Sequence, residues 1–271
     1  LSSVPPLSDW TSDDVDPNVP SIARIYDYLL GGSLNFAVDR RWADDLEQRW
    51  PGITVATRAN RAFLRRVVTY CAEAGITQFL DIGSGIPTAG NVHEILAGLG
   101  VDARVVYIDN DPVAHLMSRR ILAGTPSAVA VRGDFRDLDS VLGSDAVTGS
   151  LDFGKPVAVL LLSVLHVVGD DADPHAVLGR LAQRLVPGSC LAISHFTSEG
   201  WSQERLDELL ERTRATSTPG RPRTAAEVEA LFAGFDLVAP GLVRVPQWRP
   251  DPEAPGETSQ LDWLGGVGVK A

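Results

Sequence analysis

Gln78-Phe79-Leu80-Asp81-Ile82-Gly83-Ser84-Gly85-Ile86-Pro87-Thr88 is the stretch that decides the fold. Residues 78–82 form a short run of strand character. A glycine loop follows, and then a segment of helical length, 88–99. Glycines at 83 and 85 permit positive φ and close backbone approach, and Pro87 suits a first helical turn because it has no N–H to satisfy. A strand, a glycine loop and a helix in that order open a crossover unit that places a ligand at the loop.

The same rhythm continues downstream. Apolar runs at 104–108, 128–131, 157–162 and 190–194 are followed by helical stretches at 112–122, 138–142, 175–185 and 202–213. Strands alternating with helices predict a parallel sheet covered on both faces, a three-layer α/β/α sandwich. The 157–162 run has no polar alternation, as a central strand requires. Thr224-Ala225-Ala226-Glu227 is a capping box opening a further helix through 231. Strand candidates at 235–238 and 263–269 have no helix between them and can pair antiparallel at the sheet edge. Upstream, helices are expected at 22–30, 39–49 and 55–74, closed by Gly31-Gly32, Pro51-Gly52 and Gly75. The expected organisation is a flexible N-terminal arm (1–20), a helical cap (21–75) and a Rossmann-like core (76–271), with cap and core forming one domain.

Composition excludes several classes. The 271 residues include 35 acidic and 24 basic side chains, a net charge of −11, and 44% hydrophobic residues. This is a globular chain, neither disordered nor collagen-like. The acidic balance opposes nucleic acid as a partner. The longest apolar run, 157–168, is interrupted by Ser163 and His166 and falls short of the roughly 20 residues of a membrane span. No basic segment leading into an apolar stretch opens the chain, so a cytoplasmic location is expected. Two cysteines, Cys71 and Cys190, and histidines without ligand spacing predict no metal.

Ligands of such a sheet bind at the carboxyl ends of the strands. The dinucleotide fingerprint calls for a third glycine where this chain has Thr88, and it does not begin on a carboxylate, whereas Asp81 precedes the loop. A carboxylate beside a glycine loop suits a ligand carrying an ammonium group and a ribose, which favours S-adenosylmethionine over NAD. The plainer alternative is a Gly-Ser-Gly turn with only a structural role. Asp109 follows the second strand and suits ribose hydroxyls; Asp111, before Pro112, suits a helix N-cap. Asp134-Phe135 can accept from an adenine amino group and stack on the base, or be an ordinary acidic loop. Ser163 and His166 follow the fourth strand, and His195 ends the fifth. Either histidine is a candidate general base, with a structural histidine bonded to backbone as the commoner role. Arg58, Arg61 and Arg65 make one helix face basic, either solvated or facing a ligand carboxylate. The segment 212–223 reads as a loop and possible lid.

Taken jointly, these segments resemble a bacterial S-adenosylmethionine-dependent methyltransferase family, formerly a domain of unknown function. The resemblance begins with Ala23-Arg24-Ile25-Tyr26-Asp27-Tyr28-Leu29-Leu30-Gly31-Gly32 and Asn35-Phe36-Ala37-Val38-Asp39-Arg40. It runs on through Arg58-Ala59-Asn60-Arg61-Ala62-Phe63-Leu64, the loop 79–88 and Val106-Tyr107-Ile108-Asp109-Asn110-Asp111-Pro112. Val164-Leu165-His166, Ser194-His195, Pro240-Gly241-Leu242-Val243, Trp248-Arg249-Pro250 and Gly265-Gly266-Val267 complete it, from about residue 16 onward. It implies a class I methyltransferase fold, with a seven-stranded sheet containing one antiparallel strand. It also implies a cofactor site on Asp81, Gly83, Gly85, Asp109 and Asp134. Two departures stand out: Ser33-Leu34 where the family often has Lys-Asp, and Gly133-Asp134-Phe135 where Ala-Asp-Leu is usual, which keeps the acid.

The resulting expectation is an S-adenosylmethionine-dependent methyltransferase acting on a small-molecule acceptor, possible as a homodimer. Cofactor contacts are expected from Asp81, Gly83, Ser84, Gly85, Asp109, Asn110, Asp134, Phe135 and Ser163. From the helices folded over the sheet edge, Tyr28, Asn35 and Arg58 are expected to join them. The alternatives are a non-catalytic S-adenosylmethionine or S-adenosylhomocysteine sensor and, from the Rossmann-like pattern, an NAD-dependent oxidoreductase.

Overall fold

The computed structural model describes residues 15–87, 90–214, 216, 219–251 and 263–271. Most of the expected arm, Thr88, and Ser217-Thr218 of the expected loop lie outside them. Three helices come first: α1 (Ile22–Leu29), α2 (Ala37–Arg49) and α3 (Ile53–Glu73). The alternating part follows as β1 (Gln78–Ile82), α4 (Val92–Gly98), β2 (Arg104–Asp109), α5 (Pro112–Ile121) and β3 (Ala128–Arg132). Next come α6 (Leu138–Leu142), α7 (Asp145–Thr148), β4 (Ala158–Leu162), α8 (Pro174–Arg184), β5 (Cys190–Phe196) and α9 (Gln203–Thr213). The chain closes with α10 (Ala225–Ala230), β6 (Asp236–Leu237), β7 (Val243–Arg244) and β8 (Trp263–Val269).

The sheet runs β3-β2-β1-β4-β5-β8-β6, with the two-residue β7 also paired to β8. The first five strands in this order pair in parallel. β8 runs antiparallel to both β5 and β6, so the expected edge pairing and the single reversed strand are both present. This is the Rossmann-like α/β fold. Period-two alternation divides each central strand between two cores. Phe79, Val105 and Leu160 pack under α3 with Phe63, Val67 and Val68. Leu80, Val106 and Val159 face Leu138, Leu142, Leu178 and Leu181 of α6 and α8.

Two local expectations are corrected. The helix after the glycine loop begins at Val92 rather than 88, because the Glu94 carboxylate accepts from the Asn91 N–H (2.8 Å) and sets the helix start there. β7 and α7 were not anticipated; two and four residues are too short to show a period. Asp111 does cap α5, accepting from Val113 N (2.8 Å) and Ala114 N (2.9 Å).

Candidate functional site

At the carboxyl ends of β1 to β4 lies a cleft of about 580 Å³, roofed by α1 and the middle of α3. Asp81, Gly83, Ser84, Gly85, Asp109, Asn110, Asp134, Phe135 and Ser163 all line it. The order β3-β2-β1-β4 sets these groups out in a row: Asp134, then Asp109, then Asp81, then Ser163. Three strand spacings of about 4.8 Å make that row roughly 14 Å long.

The loop after β1 folds back on β2. Gly83 N and Ser84 N both donate to Ile108 O, at 2.7 and 3.1 Å. Gly83 has φ +70°, and a Cβ there would sit 2.3 Å from Val164 Cγ2, so the turn requires glycine. Gly85 N donates to Asp109 Oδ2 (2.7 Å) and Asp111 N to Asp109 Oδ1 (2.8 Å), which fixes the Asp109 carboxylate. The Asn110 backbone N–H also favours this carboxylate, and of its about four lone-pair sites at least one remains for a ligand. Burial raises the Asp109 pKa to about 6 despite these bonds.

Asp81 is buried and accepts no hydrogen bond from the described residues. Burial raises its pKa to about 7; Arg61 pulls the value down and Asp109 pushes it up. Arg61 lines the same cleft with its Nε buried and unpartnered. Its guanidinium lies 5.9 Å from the centre of the Tyr26 ring. Ser84 Oγ is likewise buried without a partner. Asp134 is held by Arg136, through Nε (2.9 Å) and Nη2 (2.6 Å), and by Asn110 Nδ2 (3.1 Å). These bonds lower its pKa to about 2. Ser163 sits at φ +62°, its N–H donating to Ser194 Oγ (2.9 Å) and its Oγ accepting from Trp263 Nε1 (3.1 Å).

Five expected site residues do not line the cleft. Tyr28 points to the outside and donates to Asp44 (3.0 Å); Tyr26, about 200° round the helix, takes the cleft position. Asn35 is buried in the turn after α1, donating to Asp27 Oδ2 (2.8 Å) and Gly32 O (3.1 Å). Arg58 is exposed, lying about 110° from the face that Asn60, Arg61 and Leu64 turn toward the cleft. His195 is fully buried behind the site. Its Nδ1 donates to Phe196 O (2.7 Å), and its Nε2 accepts from Arg223 Nη1 (3.2 Å), so both ring nitrogens are occupied. His166 instead lines an adjoining apolar cavity. Burial, His195 and Arg223 together lower its pKa to about 3.

Sequence reasoning named Arg61 only as one of three and missed Tyr26; helical phase relative to the sheet edge was the absent information. In the 212–223 segment, Pro219, Gly220 and Arg221 border the cleft. Arg221 N donates to His166 O (2.6 Å), and Arg221 pairs with Asp170 (2.8 Å).

The chain matches the S-adenosyl methyltransferase family over residues 8–271. It belongs to that family. Among solved structures, it is 39% identical to a DUF574-family protein from Streptomyces avermitilis, with a TM-score of 0.87 over 94% of this chain and 99% of that one. It is 38% identical to a candidate methyltransferase from Thermobifida fusca, with a TM-score of 0.86 over 93% of this chain and 96% of the other. An O-methyltransferase-family protein from Burkholderia thailandensis shares the fold at 14% identity and TM-score 0.52, over 85% of this chain and 62% of its own. No curated protein sequence matches the chain. As a methyltransferase-family member the protein uses S-adenosylmethionine as its cofactor. The cleft fits that group: the Asp81 carboxylate, which accepts no hydrogen bond from the described residues, and the unpartnered Arg61 Nε both line it, one strand over from a second acid, Asp109. No described helix is long and apolar enough to cross a membrane.

Proposed function

We propose that this family member transfers the methyl group of S-adenosylmethionine to a small-molecule acceptor. Asp81 receives the ammonium group and Arg61 the carboxylate of the cofactor's amino-acid end. Asp109 takes the ribose hydroxyls with its remaining lone-pair capacity, Asn110 beside it. Asp134 accepts four hydrogen bonds, from Arg136 N, Nε and Nη2 and from Asn110 Nδ2, and exchanges the longest of them, to Asn110, for the adenine amino group, while Phe135 packs on the base. Gly83, Ser84 and Gly85 let the backbone approach closely, and Ser163 borders the methyl end. When bound, the cofactor presents a methyl carbon on a positive sulfur. The chain's task is then to align the acceptor with it and keep water out.

The observation that carries this reading is the pairing of unsatisfied groups at the Asp81 end of the row. Among the described residues, the Asp81 carboxylate lines the cleft without accepting a hydrogen bond, and Arg61 Nε in the same cleft is buried with no partner; an acid and a base left open in one cleft suit the ammonium and carboxylate groups of one amino-acid end. The second cavity, which opens at the Ser163 end of the row, supports an enzyme rather than a sensor, since a sensor needs no room for an acceptor. His166 serves better as a neutral hydrogen-bonding group than as a base, because its depressed pKa disfavours the imidazolium. Calorimetric titration with S-adenosylmethionine, S-adenosylhomocysteine and NAD tests the proposal. Binding of the first two and not the third is expected; NAD binding alone would overturn it.

A further inference from the structure

Beside the cleft, residues of α1, α2, α3 and α9 and the ends of β5 and β8 enclose a second cavity of about 100 Å³. It shares Ile22, Tyr26, Ser163, Val167 and Gly220 with the cleft, so the two meet at the Ser163 end of the row. Among the described residues that wall it, none is Asp, Glu, Lys or Arg. Four of the chain's six tryptophans, Trp42, Trp50, Trp201 and Trp263, line it together with Phe196. Phe196 meets both Trp201 and Trp263 edge-on at 5.4 Å.

The hydroxyls that face this cavity each have a hydrogen-bond partner, Ser163 only as an acceptor. Tyr26 Oη donates to Thr57 O (3.3 Å) and accepts from Asn60 Nδ2 (3.0 Å). Thr57 Oγ1 donates to Ile53 O (2.8 Å), Thr213 Oγ1 donates to Leu210 O (3.1 Å), and Ser163 Oγ accepts from Trp263. The imidazole of His166 differs: its Nδ1 is buried with no partner.

Building on the methyltransfer reading, we infer that the acceptor is an uncharged, planar aromatic molecule of one or two rings. Its reacting O–H or N–H lies at the Ser163 end, and it makes one hydrogen bond to His166. At about 100 Å³ the cavity is smaller than the roughly 150 Å³ that holds a benzene ring, so one ring seats with side-chain movement and a second extends past the shared Ser163 wall toward the cleft. Edge-to-face walls leave ring faces and edges open to an inserted ring. A charged acceptor would be desolvated with no charged partner among the described walls. Aromatic walls can also hold cations. Here Arg205 already stacks on Trp201 at 3.9 Å, and the nearby positive charge of Arg223 that lowers the His166 pKa opposes a second cation. In the transfer, the acceptor's oxygen or nitrogen forms its bond to the methyl carbon as the carbon–sulfur bond breaks. The electron pair goes to sulfur, leaving S-adenosylhomocysteine, and the acceptor's proton passes to water.

The test titrates three shape-matched probes, 2-naphthol, 2-naphthoate and 2-naphthylmethylammonium, into the protein with S-adenosylhomocysteine. Heat and quenching of tryptophan emission are both read. We expect 2-naphthol to bind at least tenfold tighter than either charged probe. Trp201→Ala, at the half-exposed rim, should weaken 2-naphthol at least fivefold and leave S-adenosylhomocysteine affinity within twofold. Equal or tighter binding of a charged probe overturns the inference. So does binding of S-adenosylhomocysteine with none of the three probes, or an unaltered 2-naphthol affinity in the variant. Failure of S-adenosylhomocysteine itself to bind overturns the cofactor reading, and the acceptor assignment falls with it.

Discussion

Asp81 offers the sharpest test, because ligand binding and folding should respond to it in opposite directions. Its pKa is raised to about 7 by burial, and Arg61 only partly offsets this. If the ionised form receives an ammonium group, the apparent Kd scales as 1 + 10^(7−pH), so affinity should fall about tenfold from pH 8 to pH 6. Asp109, raised to about 6, should add about twofold at the acid end. Binding at pH 6 should therefore release roughly one proton, measurable by titration in two buffers of different ionisation enthalpy. Asp81→Asn should weaken S-adenosylhomocysteine at pH 8 by about 30-fold, roughly 2 kcal/mol, and flatten most of the pH dependence.

Stability should move the other way. A carboxylate whose folded pKa lies above its unfolded value of about 3.9 makes the fold progressively less stable as pH rises from about 4 to about 7. A shift of roughly three units corresponds to about 4 kcal/mol at pH 8. Without ligand, Asp81→Asn should therefore be more stable than the parent at pH 8 by up to that amount, and equal to it near pH 4. Urea unfolding at the two pH values measures this. Lower stability of the variant at pH 8, or a parent affinity that does not change between pH 6 and 8, would refute the reasoning.

Three further substitutions follow from the same geometry. Arg61→Met should weaken S-adenosylhomocysteine about tenfold and shift the midpoint of its pH dependence upward, since Arg61 lowers the Asp81 pKa; calorimetry across pH 6–8 reads both. Gly83→Ala combines a φ of +70° with a Cβ 2.3 Å from Val164 Cγ2, and should cost about 2 kcal/mol or more in urea unfolding and reduce cofactor affinity. Arg223→Met should cost about 2–4 kcal/mol, because the buried guanidinium donates to Leu165 O (2.6 Å), Val168 O (3.1 Å) and Asp170 (2.8 Å). Urea unfolding of that variant is the check.

Most of the sheet was legible because its strands are short apolar runs bounded by glycine, proline and acidic residues. β1 and β8 match their expected bounds at both ends. The acids after β1, β2 and β3 were legible for the same reason: a parallel sheet puts every strand's carboxyl end on one edge. Helix-borne residues were not. Choosing Tyr26 over Tyr28, or Arg61 over Arg58, depends on how each helix is rotated against that edge, which is a property of tertiary packing. The aromatic cavity was equally hidden. Its tryptophans at 42, 50, 201 and 263 share no period or neighbourhood in the chain, and only the excess of six tryptophans over one methionine hinted at it.

Apart from Ala23 and Tyr26, which line the cleft, the opening signature of the chain has a structural explanation. Asp27 accepts from Leu34 N and Asn35 Nδ2, both at 2.8 Å, and a Cβ on Gly32 would sit 2.1 Å from its Oδ1, so these residues together build one tight turn. Arg24, buried, bonds Asp39 Oδ2 (2.8 Å) and approaches Asp111 Oδ2 (3.5 Å), which also accepts from Ser21 Oγ (2.5 Å). Asp111 in turn caps α5, and its backbone N–H holds the Asp109 carboxylate. The helix that carries Ile22 and Tyr26, the wall common to both cavities, is thus tied to the strand end that carries Asp109. A shift of either one must strain the other through Asp111. The network therefore couples the placement of Asp109 to the wall that the cleft and the aromatic cavity share.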